Sequence, residues 1–163
     1  MIAKEVMAGL ELFAGLPDKE LEAIGSLSKE LTFAPGATIF SPEQTSREFY
    51  SLLEGSVRLT VFSSPLSAPV TISVLKAPGQ AFGFSSVIGT GHHNSSADAV
   101  TRTRIVAIDG PALMKYLDEH PKTGFAVMTR VGHVINRRLA ATRTLLLETI
   151  IDYERQESAT AEN

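Results

Sequence analysis

Apolar residues recur with a helical period most regularly toward the C-terminal end of the chain. From Thr123 to about Arg155 there is no proline, and Gly124 and Gly132 are the only glycines. Met128, Ile135, Thr142 and Thr149 fall seven apart, and Gly132, Leu139, Leu146 and Tyr153 fill the complementary seam. That is a heptad pattern diluted by Thr and Gly. Val127, Val131, Val134 and Leu145 mark a second face. The spacing predicts a long helix with two apolar stripes, more than one surface helix normally buries on its own domain. One stripe is expected to dock on the domain. The other, with Met128, Gly132, Ile135, Leu139, Thr142 and Leu146, is expected to pair with a second copy as a homodimer. The competing arrangement is one wide face packed wholly on its own domain.

Upstream the signals are shorter. Residues 3–15 read as a helix with Val6, Leu10 and Phe13 at helical spacing. "LPDKELEAIGSLS" restarts one, with Pro17 near the first helical position, Asp18 as cap, and Leu21 and Ile24 inward. From Lys29 the period falls to two. "ELTFAPGATIF" alternates around Pro35-Gly36, and "EFYSLLEGSVRLTVF" gives two strands broken at Glu54-Gly55. "SSPLSAP" (63–69) reads as a polar hairpin loop, and "VTISVLKAPGQAFG" as a strand ending at Pro78-Gly79. "SADAVTRTRIVAID" is an alternating strand, followed by helix from Pro111. The expected organisation is a helical segment over 1–28, a β-roll over 29–110, C-terminal helices over 111–155 and a disordered polar tail over 156–163. The fold class is mainly β, a small antiparallel barrel or sandwich with helices at its ends.

Composition narrows the function classes. A chain of 163 residues with 44% apolar content suits one globular domain. The net charge of −3 does not favour non-specific nucleic-acid binding, although Arg130, Arg137, Arg138 and Arg143 cluster late, as a solvated helix face. The absence of Cys excludes disulfides, thiolate zinc sites and cysteine-held iron–sulfur clusters. Lys4, Glu5 and Glu11 interrupt the N-terminus, which fails as a secretory signal, and no window approaches the ~18 apolar residues of a membrane span. The expectation is a cytoplasmic protein with no membrane partner.

The candidate chemistry lies in "PGQAFGFSSVIGTGHHNSSADAVTRTRIVAID", Pro78 to Asp109. A Gly-rich loop of this kind offers backbone N–H groups to a small anionic ligand. A firm anion site usually adds an arginine fork, yet there is no Arg, Lys or Glu between Gly79 and Thr101. Ser85, Ser86, Ser95 and Ser96 offer hydroxyl donors, and Ser is also what any surface loop contains. His92 and His93 offer an imidazolium, without the bidentate geometry of arginine. Adjacent loop histidines point apart and no third ligand accompanies them, so neither zinc nor haem is expected.

The motif order resembles the cyclic-nucleotide-binding domain of catabolite-activator-type regulators, kinase regulatory subunits and gated channels. The residues that carry the likeness are "LFAGLPDKELEAI", "FAPGATIF", "FYSLLEGSVRLTV", "LKAPGQAFG", "AVTRTRIVAID" and His120-Pro121. They cover about residues 10 to 145. The resemblance implies a β-roll of the jelly-roll type with tight turns at Gly36, Gly55 and Gly79. It also implies cAMP or cGMP as the ligand class, held by a phosphate-binding cassette over Phe82 to Ala97. Its ligand set here is Phe82, Gly83, Phe84, Ser85, Ser86, His92, His93, Asn94, Ser95 and Ser96, with Thr129 and Arg130 where the final helix covers the purine.

This sequence departs from the family at the charged positions. Phe84 stands where the family has a Glu that takes the ribose 2′-hydroxyl, and His93 stands where it has the phosphate-neutralising Arg. Asn94 or Ser95 takes that place if the register slips. Glu43 stands where a glycine is expected. A lost charge-assisted hydrogen bond removes ~1.5–3 kcal/mol. A lost Arg–phosphate fork removes several kcal/mol more, on the order of a broken buried pair. Together they weaken binding by roughly three to five powers of ten. Phe84 is expected to plug the pocket.

The resulting expectation is a regulatory, signal-transducing domain with a degenerate pocket. It would address an unidentified protein partner through its final helix, with no direct DNA binding because no recognition helix follows. The alternative is a ligand-independent dimeric interaction module. A metal-dependent barrel enzyme would need a histidine/carboxylate triad that His92, His93, His120 and His133 do not supply, so no catalytic residue is assigned.

Overall fold

The computed structural model describes residues 1–161 apart from Glu43, residues 63–67 and Thr90. The chain begins with α1 (Lys4–Ala8) and α2 (Asp18–Ser26), followed by β1 (Ser28–Phe33), β2 (Thr38–Phe40), β3 (Glu48–Glu54) and β4 (Val57–Val61). Then come β5 (Val70–Leu75), β6 (Ala81–Phe82), α3 (Ser85–Ile88), β7 (Ser96–Ala99) and β8 (Thr103–Asp109). Two helices, α4 (Gly110–Glu119) and α5 (Pro121–Ala161), complete it. Two antiparallel sheets form, ordered β1-β8-β3-β6 and β2-β7-β4-β5. They are a roll of two sheets rather than a closed barrel.

Period-two alternation builds the interior. Tyr50 and Leu52 of β3 and Ile105 and Ala107 of β8 face Val57 and Leu59 of β4 and Ala97 of β7. Phe40, Leu75 and Phe82 complete this core. The opposite face of β3 presents Phe49, which is 1% exposed and meets Phe13 edge-on at 6.3 Å. The N-terminal segment thus covers one face of its sheet, with Met7, Leu10, Leu12 and Phe13 all buried.

Several expectations are refined. The helix read over 3–15 is regular only through Ala8; beyond Gly9 the chain continues as turns. Asp18 is the first residue of α2 with Pro17 as its cap, and its carboxylate pairs with Lys4. The strand read through "SADAVTRTRIVAID" is two strands in different sheets. At the crossing Val100 N–H donates to Ser56 O at 2.8 Å, and the Thr103 hydroxyl donates to Ser56 O at 3.1 Å. Gly36, Gly55 and Gly79 all have positive φ. At Gly55 (φ +91°) an added Cβ would lie 2.4 Å from Arg102 O, so the turn between β3 and β4 admits no side chain. The hairpin loop expected at 63–69 falls largely on 63–67, outside the described residues, as does Glu43.

Asp109 caps α4, accepting from Ala112 N–H at 2.9 Å, with Pro111 in the first turn. By compactness, residues 1–128 form one unit and 129–163 a second. Where a tail is expected from 156, α5 continues through Ala161; residues 162 and 163 lie outside the described residues. No helix among the described residues is long and apolar enough to cross a membrane.

Candidate functional site

The cassette begins at β6, whose Tyr50↔Phe82 and Ser51↔Ala81 pairings fix it to β3. The Glu11 carboxylate accepts from Ala81 N–H at 2.7 Å, and Glu11 N–H donates to Gly79 O at 3.0 Å. The N-terminal segment therefore holds the entry to the cassette. Gly83 then turns the chain with φ +75°, and a Cβ there would approach Tyr50 Cδ2 to 2.7 Å. This glycine lets the backbone pass directly over an aromatic ring. One helical turn follows, α3, packed so closely on the start of α4 that a Cβ on Gly110 would lie 2.8 Å from Ser86. The loop returns through Gly91 (φ +82°), whose carbonyl accepts from Ser46 N–H at 2.7 Å, and His92 bridges Thr45.

Phe82 is buried in the roll, and Gly83, Ser85 and Ser86 are half-buried along the turn. Phe84 does not plug the interior. Its ring stacks on Phe49 at 5.9 Å, and Phe49 projects from β3 on the face opposite Tyr50. The plug expectation is corrected for that reason: Phe84 belongs to the helix-covered side.

The two histidines diverge. His92 is exposed, whereas His93 is 6% exposed and stacks on Phe40 with centroids 3.8 Å apart and planes 10° off parallel. Burial follows the strand period back from β7: His93, Ser95, Ala97 and Ala99 are buried, while His92 and Asn94 are exposed and Ser96 is half-buried. Burial also lowers the pKa of His93, favouring the neutral ring over the imidazolium an anion would want.

Sequence reasoning missed the aromatic cluster beneath the cassette. Phe40 stacks on Tyr50 at 5.7 Å and on Phe82 at 6.2 Å as well as on His93, and Tyr50 stacks on Phe82 at 5.3 Å. Four segments distant in sequence contribute one ring each. The available signal was that Phe40, Tyr50, Phe82 and His93 all hold inward positions on alternating stretches. The Tyr50 hydroxyl has its pKa raised by burial and then by Glu48, whose Oε2 lies 3.4 Å away. Lys29 pairs with Glu48 at 2.6 Å. Buried Ser46 Oγ has no partner among the described residues. No group of three metal-ligating side chains occurs among them either.

On α5, Val127, Val131 and Val134 are buried, whereas Ile135, Leu139 and Leu146 are 37%, 66% and 59% exposed. Gly132 and Thr142 are also exposed and Met128 is half-buried. The two stripes read from the spacing therefore differ in burial. Leu145, grouped with the valines in the sequence, is exposed at 47%.

The profile of the family described as "Cyclic nucleotide-binding domain" matches residues 30–120. A Geobacter metallireducens crystal structure assigned as cyclic nucleotide-binding is 32% identical with TM-score 0.73, over 85% of this chain and 99% of that one. The Thermus thermophilus Catabolite Activator Protein is 25% identical with TM-score 0.68, over 88% of this chain and 64% of that one. The CRP-like cAMP-activated global transcriptional regulator of Mycobacterium tuberculosis is 27% identical over 149 residues, 90% of this chain. The chain spans 62% of that regulator's length.

Proposed function

The chain belongs to the cyclic nucleotide-binding domain family, and from that premise we propose that it is a regulatory sensor domain with an altered ligand pocket. It pairs as a homodimer through α5 and signals to a partner protein. The observation that carries this reading is a cassette with its backbone kept and its charged positions changed. Gly83 and α3 form the turn, but Phe84 stacks outward on Phe49 and His93 turns inward onto Phe40. A cyclic phosphate placed there meets backbone N–H groups without a carboxylate or a guanidinium. Relatives named for cAMP make cAMP and cGMP the first ligands to test. The exposed row Ile135, Leu139 and Leu146 supports the homodimer, because such a row on a helix finds its partner in an identical row.

Restoring the charges tests the pocket. The double variant Phe84→Glu/His93→Arg is expected to gain at least a hundredfold in cAMP affinity over the wild type, about half of the estimated loss on a logarithmic scale. Equal affinity in both proteins would show that the two positions do not limit binding. The exposed stripe of α5 also favours a second reading, a dimeric interaction module that needs no ligand. Its signature is partner binding unchanged by any nucleotide at millimolar concentration.

A further inference from the structure

His93 is more than a missing arginine. Building on the cassette reading above, we propose that His93 is an acid-released latch. Its neutral ring, stacked on Phe40, holds the end of the cassette against the roll interior, and its protonated ring leaves that stack and frees the short segment from Gly91 to Asn94.

The geometry supplies the closed state and the few contacts that hold it. In the closed state the imidazole lies flat on Phe40, itself stacked on Tyr50 and Phe82. The His93 residue is 6% exposed, so most of its ring is withdrawn from the water that would solvate a charge. An aromatic face does attract a cation. The burial of the ring acts the other way and lowers the pKa of His93.

Among the described residues, no anion faces the ring from the surrounding elements. On β2, Thr38, Ile39 and Phe40 carry no titratable group, nor do Ala81 and Phe82 on β6. On β3, the Tyr50 hydroxyl stays protonated beside Glu48, and Glu48 is paired with Lys29. On β7, Asp98 lies between inward-facing Ala97 and Ala99 and accepts from the Thr38 hydroxyl at 2.8 Å. His92, next in the chain, is exposed. Release is also mechanically simple. For residues 91–94 the His92–Thr45 bridge and the Ser46–Gly91 hydrogen bond are the backbone attachments to undo among the described residues, α3 staying packed on α4, and Gly91 has open space around it to act as a hinge.

The sign follows from the lowered pKa. The closed cassette binds fewer protons than the open one, so closure is complete above the ordinary histidine value of 6.5 and weakens as pH falls below it.

Amide exchange of the nucleotide-free protein, corrected for intrinsic rates, tests the latch. Opening of residues 91–94 is expected to rise, by up to about tenfold, between about pH 7.5 and about pH 5.5 in the wild type, and to stay level in His93→Phe. An unchanged wild type, or an equal rise in His93→Phe, overturns the proposal. Should His93→Phe not fold, proton NMR of the wild type decides, with the His92 signal assigned from His92→Gln. The latch requires His93 to titrate below the ordinary histidine value of 6.5, and titration at or above it refutes the latch. No nucleotide enters these measurements, so their failure leaves the sensor reading standing. Failure of the charge-restoring variant leaves the latch standing.

Discussion

Gly83 sets the distance between the cassette and the ring of Tyr50. Its positive φ and the 2.7 Å approach of a would-be Cβ to Tyr50 leave no room for alanine. Gly83→Ala is expected to destabilise the fold by about 1–3 kcal/mol, read as a lower urea midpoint. Phe40 is the hub of the cluster, touching three other rings. Phe40→Ala is expected to cost about 3–5 kcal/mol, and a loss below about 1 kcal/mol would mean that the cluster contributes little packing. The hydroxyl-rich, glycine-rich composition of residues 83–96 marked this stretch as a candidate binding loop. It masked the burial of His93, which continues the inward positions of β7 but stands before the strand, among residues whose composition reads as exposed loop. Phe84 was misread for a related reason: an aromatic residue in a pocket motif says nothing about which face of β3 it will find.

At the scale of elements, two contacts govern how the helices respond. The first joins α2 to the α4–α5 corner. Glu20 accepts from the Tyr116 hydroxyl at 2.8 Å and from the Thr123 hydroxyl at 2.9 Å, while His120 stacks on Tyr116 at 4.1 Å. The Tyr116 bond, then the Thr123 bond, holds the Glu20 carboxyl below its ordinary 4.5. Tyr116 is pushed up to about 12 by burial and by Glu20. A lowered carboxyl pKa stabilises the fold above the ordinary value, and that contribution is lost as pH falls through the lower folded value. Glu20→Gln is therefore expected to flatten the acid limb of stability below about pH 4.5, measured by urea unfolding across pH. An identical acid limb in both proteins would contradict the coupling. The second is the homodimer contact proposed above for the exposed stripe of α5. Leu139→Asp with Leu146→Asp is expected to convert a dimer into monomer in sedimentation velocity, with the far-ultraviolet circular dichroism of the sheets retained. The stripe was legible because seven-residue spacing survives dilution by Thr142 and Gly132. The switch of sheets between β7 and β8 was not, since alternation continues across Val100–Arg102 while the backbone hydrogen bonds change partner at Ser56.

For the whole molecule, six short motifs in order announced two sheets and their turns. The turn glycines Gly36, Gly55 and Gly79 each occupy a place where the backbone takes positive φ. The order could not reveal which interior the strands enclose. That interior is filled beneath the cassette by the protein's own rings, one from each of four segments. Its chemistry therefore differs from that of a pocket built around an arginine and a glutamate. The central claim is that this domain keeps the cassette of its family while having lost tight cyclic-nucleotide binding. Isothermal titration of the wild-type protein with cAMP and cGMP near neutral pH tests it most directly. The account predicts no saturable heat below about millimolar nucleotide, in line with a loss of roughly three to five powers of ten. A one-to-one isotherm with a micromolar Kd would contradict it, and would mean that the cassette rebuilds around the ligand with Phe84 and His93 displaced.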